Sequence, residues 1–141
     1  LWDLRQAAMP TIVAADPLKT LCTAWSPNGR YLASGGHEGV IRIWDQVERR
    51  EVMRLPGHGG AVQTLSFVGN RAQLISASDD GTARVWAVPE GRLLATLPHG
   101  KPVAHVMFNP AGDRVVIRGN EKNLFGPTEV WIMPEQVNSQ K

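Results

Sequence analysis

His58, Ser76 and Asp80 stand close together in the middle of the chain. A hydroxyl, an imidazole and a carboxylate are the three side chains that acyl transfer by a serine nucleophile requires. A second candidate is the glycine-rich run Gly35-Gly36-His37-Glu38-Gly39. Such runs cradle phosphates when they open a helix and carry Gly-Lys-Ser/Thr. This one lacks that ending and leads into a strand pattern, so it reads as a β-turn. The four histidines, His37, His58, His99 and His105, show no paired spacing and have no thiolates nearby. No metal site and no cofactor is expected.

What positions these residues begins with composition. The chain has 141 residues, about one domain's length, with 15 Lys and Arg against 13 Asp and Glu. No segment is charge-rich, so the +2 net charge offers no basic arm or acidic tail for nucleic acid. Hydrophobic content of 43% is enough for a core and too high for a disordered chain. Cys22 is alone, which excludes an internal disulfide and fits a reducing compartment; the cytoplasm is expected. Apolar runs fall far short of the roughly 18 residues of a membrane helix, so no membrane partner is expected. Leu1-Trp2-Asp3-Leu4 is no signal peptide, and it reads as a cut end because it starts in mid-pattern.

The organising feature is a repeat. Trp2, Trp44, Trp86 and Trp131 are spaced 42, 42 and 45 residues apart. Val40-Ile41-Arg42-Ile43-Trp44 aligns with Thr82-Ala83-Arg84-Val85-Trp86, and Leu32-Ala33-Ser34-Gly35-Gly36 with Leu74-Ile75-Ser76-Ala77-Ser78. A third copy gives Val115-Val116-Ile117-Arg118-Gly119 and then Glu129-Val130-Trp131-Ile132. A period of about 40–45 residues with short strands predicts one β-sheet blade per repeat. Apolar residues alternate with period two, as strands require. The predicted strands are 20–25, 31–35, 40–45 and 50–55; 61–67, 73–77, 82–87 and 92–97; 102–108, 114–118 and 128–132. Two more, at 1–4 and 11–15, belong to a preceding blade. Turn residues separate them, among them Ser26-Pro27-Asn28-Gly29, Gly69-Asn70, Asp80-Gly81 and Asn109-Pro110-Ala111-Gly112.

The second copy resembles a complete WD (Trp-Asp) repeat. It runs Gly57-His58, Leu65-Ser66-Phe67, Leu74-Ile75-Ser76-Ala77-Ser78-Asp79-Asp80-Gly81 and Val85-Trp86. Trp44-Asp45 and Trp2-Asp3 strengthen the likeness, which covers about residues 1–133. It implies an all-β fold: a WD-repeat β-propeller segment of four-stranded antiparallel blades, about three of them, in an incomplete ring. The divisions expected are 1–15, outer strands of a preceding blade; 16–56, 57–98 and 99–133, three repeats, the last diverged; and 134–141, a polar tail. The remaining blades are expected from a longer chain rather than from a homo-oligomer.

The resemblance also assigns roles. In the family a His, a Ser/Thr, an Asp and the Trp form a hydrogen-bonded set; here they are His58, Ser76, Asp80 and Trp86, with Ser78 the weaker candidate for the serine. Those side chains would bond inward, so the hydrolase reading falls away. The first copy departs, with Asp16 near the His position, Ser34, and Glu38 for Asp. The third keeps His99 and Trp131, has Ile117 or Arg118 for Ser and Glu121 for Asp. Only the middle blade is therefore expected to hold the full set. Trp25 and Phe67 are assigned to the interblade core, and His105 to an inner strand near the channel or a blade interface.

The resemblance implies that binding takes place at the channel rim, the family's usual contact surface, where the candidates are Lys19, His37, Glu38, Gly60, Asp79, Lys101, Asn120 and Lys122. Their mixed charge suggests a protein or peptide partner and no nucleic acid. The turn after Gly119 is about four residues longer than in the other copies, and its Phe125 is either a partner contact or packs on its own blade. The expected function is a non-catalytic interaction scaffold. The alternative is the regulatory propeller portion of a larger, bacterial-type signalling enzyme, and a third reading is a small-ligand or nucleic-acid binder at the channel mouth.

Overall fold

The computed structural model describes residues 19–68, 72–88, 90–119 and 128–133. Those residues form eleven strands and no helix. The first sheet is β1 (Thr20–Trp25), β2 (Tyr31–Gly36), β3 (Ile41–Asp45) and β4 (Arg50–Leu55). The second is β5 (Val62–Phe67), β6 (Gln73–Ser78), β7 (Thr82–Ala87) and β8 (Arg92–Pro98). The third has β9 (Val103–Phe108), β10 (Arg114–Gly119) and β11 (Thr128–Ile132). Each strand pairs antiparallel with its neighbour in sequence, so every sheet is a meander. Strand bounds lie within a residue of those read from alternation and turn residues. The strands expected at 1–4 and 11–15, the Gly69-Asn70 turn, and Asp16, Asn120, Glu121, Lys122 and Phe125 lie outside the described residues.

Local chemistry explains the meanders. The β1–β2 and β9–β10 turns are the same device. Ser26 Oγ accepts the Tyr31 N–H at 2.9 Å, and Asn109 Oδ1 accepts from Asp113 and Arg114 at 3.1 and 3.0 Å. The β2–β3 turn needs glycine. Gly39 has φ of 75°, and a Cβ there would sit 2.4 Å from the His58 carbonyl oxygen. Register shifts recur at matching places, between Thr20 and Cys22 in β1 and between Val62 and Thr64 in β5. The Asp of Trp44-Asp45 serves a turn. Asp45 accepts the Val47 N–H at 2.8 Å and pairs with Arg30 at 2.9 Å, and that guanidinium holds its carboxyl below the usual range.

Two apolar seams join the sheets in series. Ala33, Ile41, Ile43 and Leu55 of the first sheet meet Val62, Leu65, Leu74 and Trp86 of the second. Ile75, Ala77, Val85 and Leu97 on its other face meet Val103, Val106, Phe108, Val115 and Ile117 of the third. Burying each such Ile or Leu contributes about 1.5–3 kcal/mol. β6 is buried on both faces, as the middle sheet of the series must be. The inner strands β1, β5 and β9 approach one another in turn. Phe67 packs at the first seam. Trp25 holds the place of Phe67 one sheet earlier, opposite Leu32 on the face of the first sheet turned away from the second, and it is 48% exposed there; the preceding blade expected against that face lies outside the described residues.

Candidate functional site

The β5–β8 sheet brings four polar side chains into one line. Trp86 on β7 donates its indole N–H to Ser76 Oγ on β6 at 2.9 Å. Ser76 Oγ lies 2.7 Å from His58 Nε2, and His58 Nδ1 lies 2.8 Å from Asp80 Oδ2. A carboxylate only accepts, so Nδ1 carries the proton and the serine hydroxyl donates to Nε2. Asp80 also accepts from the Gly59 N–H, the Thr82 N–H and the Thr82 hydroxyl at 3.1, 2.9 and 2.7 Å. Burial lowers the imidazole's pKa and keeps it neutral against the pull of Asp80. Burial pushes the Asp80 carboxyl up, but the bonds from Thr82 and His58 outweigh it and hold the group at about 2. Ser78 has a separate task. It donates to the Gly60 carbonyl at 3.1 Å and accepts the Asp80 N–H at 3.1 Å.

The Ser–His–Asp order is that of a catalytic triad, but the oxygen cannot act as a nucleophile. Ser76 is fully buried, and its oxygen already accepts an indole proton. No carbonyl carbon can reach it. What the line does is fasten the 57–60 loop and the 79–82 turn to the sheet.

The other two sheets solve the same problem differently. In the first, Trp44 donates to Ser34 Oγ at 3.1 Å, while Glu38 pairs with Arg42 at 3.5 Å. In the third, Ile117 takes the serine's place, and Arg118 points to the opposite face. Trp131 donates instead to Glu129 Oε2 at 3.0 Å. Glu129 sits opposite Ile117, so the acceptor comes from the neighbouring strand. Its other oxygen is 3.2 Å from Nδ1 of the fully buried His99 ring, yet among the described residues neither ring nitrogen makes a hydrogen bond. The reading of the sequence missed Glu129. The available signal was its place two residues before the Trp, where the other copies carry Arg42 and Arg84.

Six rim candidates form one band. The His37 N–H donates to the Lys19 carbonyl at 3.4 Å. The turn that carries His37 and Glu38 abuts the 57–60 loop, since a Cβ on Gly39 would also lie 2.9 Å from the Gly60 carbonyl. The Asp79 N–H donates to Ala61 at 3.0 Å, and Gln63 donates to Asp79 Oδ2 at 3.0 Å. Beyond it, the N–H groups of His99 and Gly100 donate to the Gly81 carbonyl at 2.9 and 3.2 Å, which draws in the loop that bears Lys101. Lys19, His37, Glu38, Asp79 and Lys101 are exposed. A shallow depression lies beside Lys19, His37, Glu38 and Arg42.

Among the described residues no group of three or more His, Cys, Asp or Glu could hold a metal ion. No described helix is long and apolar enough to cross a membrane. Cys22 donates to the Val62 carbonyl at 3.4 Å, and burial pushes its thiol up to about 12.

Comparison with known proteins places the geometry. The model of the WD domain, G-beta repeat, matches residues 15–45 and 49–87. The chain is 31% identical over 126 residues to the DENN domain and WD repeat-containing protein SCD1 of Arabidopsis thaliana, covering 89% of this chain and 10% of that one. It is 41% identical over 68 residues to the U3 snoRNP-associated protein-like EMB2271 of the same plant, covering 48% of this chain and 14% of that one. The crystal structure of the RRP9 WD40 repeats superposes with a TM-score of 0.71 at 33% identity, over 82% of this chain and 34% of that one. The chain thus spans about a third or less of the length of each.

Proposed function

The chain belongs to the family of WD-repeat β-propellers, and from that premise we propose that its rim is a docking platform for a protein partner, contacted as an extended peptide segment. One observation carries the reading: exposed groups of both signs, among them Lys19, Glu38, Asp79 and Lys101, border a loop and a turn, 57–60 and 79–82, that a buried hydrogen-bonded line fastens to the sheet. Rigid presentation lowers the ordering cost of binding. Interspersed charge suits a polypeptide with its own alternating charges better than a phosphate backbone, which selects for a basic stripe. In this proposal the sheets supply rigidity, the chain performs no catalysis, and the cytoplasm is its compartment, on the strength of a single cysteine.

A peptide display library screened against the natural polypeptide tests the reading. Binders whose affinity falls at least about tenfold, or 1.4 kcal/mol, on Lys19→Glu or Asp79→Lys support it. Because EMB2271 is by name associated with a U3 snoRNP, a poly(U) titration runs beside the screen. Tight, steeply salt-dependent RNA binding lost on Lys19→Glu, with no peptide selected, replaces the proposal with a nucleic-acid one. The second reading, a regulatory part of a larger signalling protein, draws on SCD1, whose name couples WD repeats to a DENN domain. The complete reading frame separates the two.

A further inference from the structure

The position two residues before the tryptophan is charged in all three sheets, and its partners differ. In the first sheet it is Arg42, which is matched from within the sheet: Nη2 lies 3.5 Å from Glu38 and Nη1 3.1 Å from Glu51. In the third it is Glu129, which accepts from Trp131. In the second it is Arg84, held in the register of Arg42: it stands opposite Thr96, as Arg42 stands opposite Arg54.

Arg84 has neither acid. Leu93 takes the place of Glu51, opposite Trp86 as Glu51 is opposite Trp44. Asp80 takes the place of Glu38, but its carboxylate already accepts from His58, Gly59 and Thr82. Among the described residues the Arg84 guanidinium makes no hydrogen bond and no ion pair, although its Nε is buried. Withdrawing a cation from water without a partner is costly. The surroundings leave the group within reach. Leu93 is 42% exposed, and Thr96 is exposed. Beside the guanidinium runs the 57–60 loop. Gly57 has φ of 134°, and a Cβ there would lie 2.5 Å from Arg84 Nη1.

We propose that Arg84 seats a carboxylate side chain of the docked peptide, an Asp or Glu that takes the place Glu51 fills in the first sheet. The inference rests on the docking reading of the rim and names the residue type that the rim selects. The chain itself shows what this position accepts, since the same guanidinium in the same register is closed by glutamate one sheet earlier. A carboxylate fits the guanidinium fork with two parallel bonds, and the Thr96 hydroxyl stands beside it as a further donor. A segment that follows the loop outward from Gly60 meets Arg84 at Gly57. Because Arg84 is partly withdrawn from water, its ion pair is stronger than one made by an exposed rim lysine.

Hexaglutamate titrated against the natural polypeptide tests the seat apart from the peptide screen. Arg84→Met keeps an apolar stem and removes the charge. Hexaglutamate should bind at least about tenfold more tightly than hexaglutamine, and Arg84→Met should abolish that preference. No preference, or one that survives Arg84→Met, overturns the seat. Screened peptides that depend on Lys19 and Asp79 but are indifferent to Arg84→Met also overturn it, and leave the docking reading standing. Hexaglutamate bound through Arg84 while the screen selects no peptide upholds the seat and overturns the rim platform. A phosphoserine peptide bound through Arg84 where hexaglutamate is not overturns the choice of a carboxylate. Without any probe, Arg84→Met should leave the thermal midpoint unchanged. A fall that shrinks at high salt would mean that a carboxylate of the polypeptide already fills the seat, and overturns the proposal.

Discussion

The second and third sheets carry the same tryptophan in the same register but fasten it by different chemistry. Trp86 is 3% exposed and ends a closed line of donors and acceptors, whereas Trp131 is half-buried and bonds one carboxylate that is itself 41% exposed. The difference is one of solvent. A buried line must satisfy every atom internally, because an orphan costs about 1–3 kcal/mol. A bond at the edge can be exchanged for water. The buried line of the middle sheet is therefore where polar side chains are structurally indispensable, and the half-exposed Trp131–Glu129 bond of the third is where substitution is cheap.

Ser76→Ala attacks that comparison at its strongest point. It strands the Trp86 indole N–H and His58 Nε2 together in a dry site, and should cost about 3 kcal/mol in a denaturant titration of the natural polypeptide. His58→Ala should fall in the same range, about 1–3 kcal/mol. Next in size, Glu129→Ala should cost about 1 kcal/mol, since water can reach the freed indole. Equal losses at Ser76 and Glu129 would show that the third sheet depends on its acceptor as much as the second does.

Acid sharpens the contrast further. His58 and Asp80 both have folded pKa values below their unfolded ones, so each contributes stability at higher pH that is lost on acidification. For His58 the loss begins as pH falls through 6.5, the value in the unfolded chain. For Asp80 it begins near 3.8 and runs down to about 2. Melting midpoints should decline in both windows. Asp80→Asn should flatten the lower limb, and an unchanged limb would place acid sensitivity outside this line.

Much of this was legible in the chain, for physical reasons that also mark where legibility stops. Alternation and turn residues depend on near neighbours, so strand bounds came out within a residue. The His58–Ser76–Asp80–Trp86 set was legible because its members recur at spacings the family shares. Glu129 was not, because a replacement for the serine was sought along β10, whereas the sheet supplied it from β11. Pairing across strands is written in register, which spacing along one strand does not show. Trp25 marks a related limit. Alternation tells which residues share a face, not which neighbour covers it. That six of the rim candidates are neighbours was legible because turns at one end of successive meanders must adjoin.

The smallest effect is expected at Cys22, which lies outside both networks and so serves as their control. It occupies the position of Thr64 one sheet earlier, and each donates to a carbonyl of the following inner strand, at 3.4 Å from sulfur and 2.7 Å from oxygen. A hydroxyl already works at that joint, so Cys22→Ser should change stability by only about 0.5 kcal/mol. The thiol itself should be inert. Raising its pKa from 9.0 to about 12 leaves roughly a thousandfold less thiolate at neutral pH, and the thiolate is what reacts. Iodoacetamide labelling in the folded state should therefore be slow and should accelerate on unfolding. Fast labelling at neutral pH would mean the first seam opens readily at its inner end, and would shift the weak point of the series from the third sheet to the first.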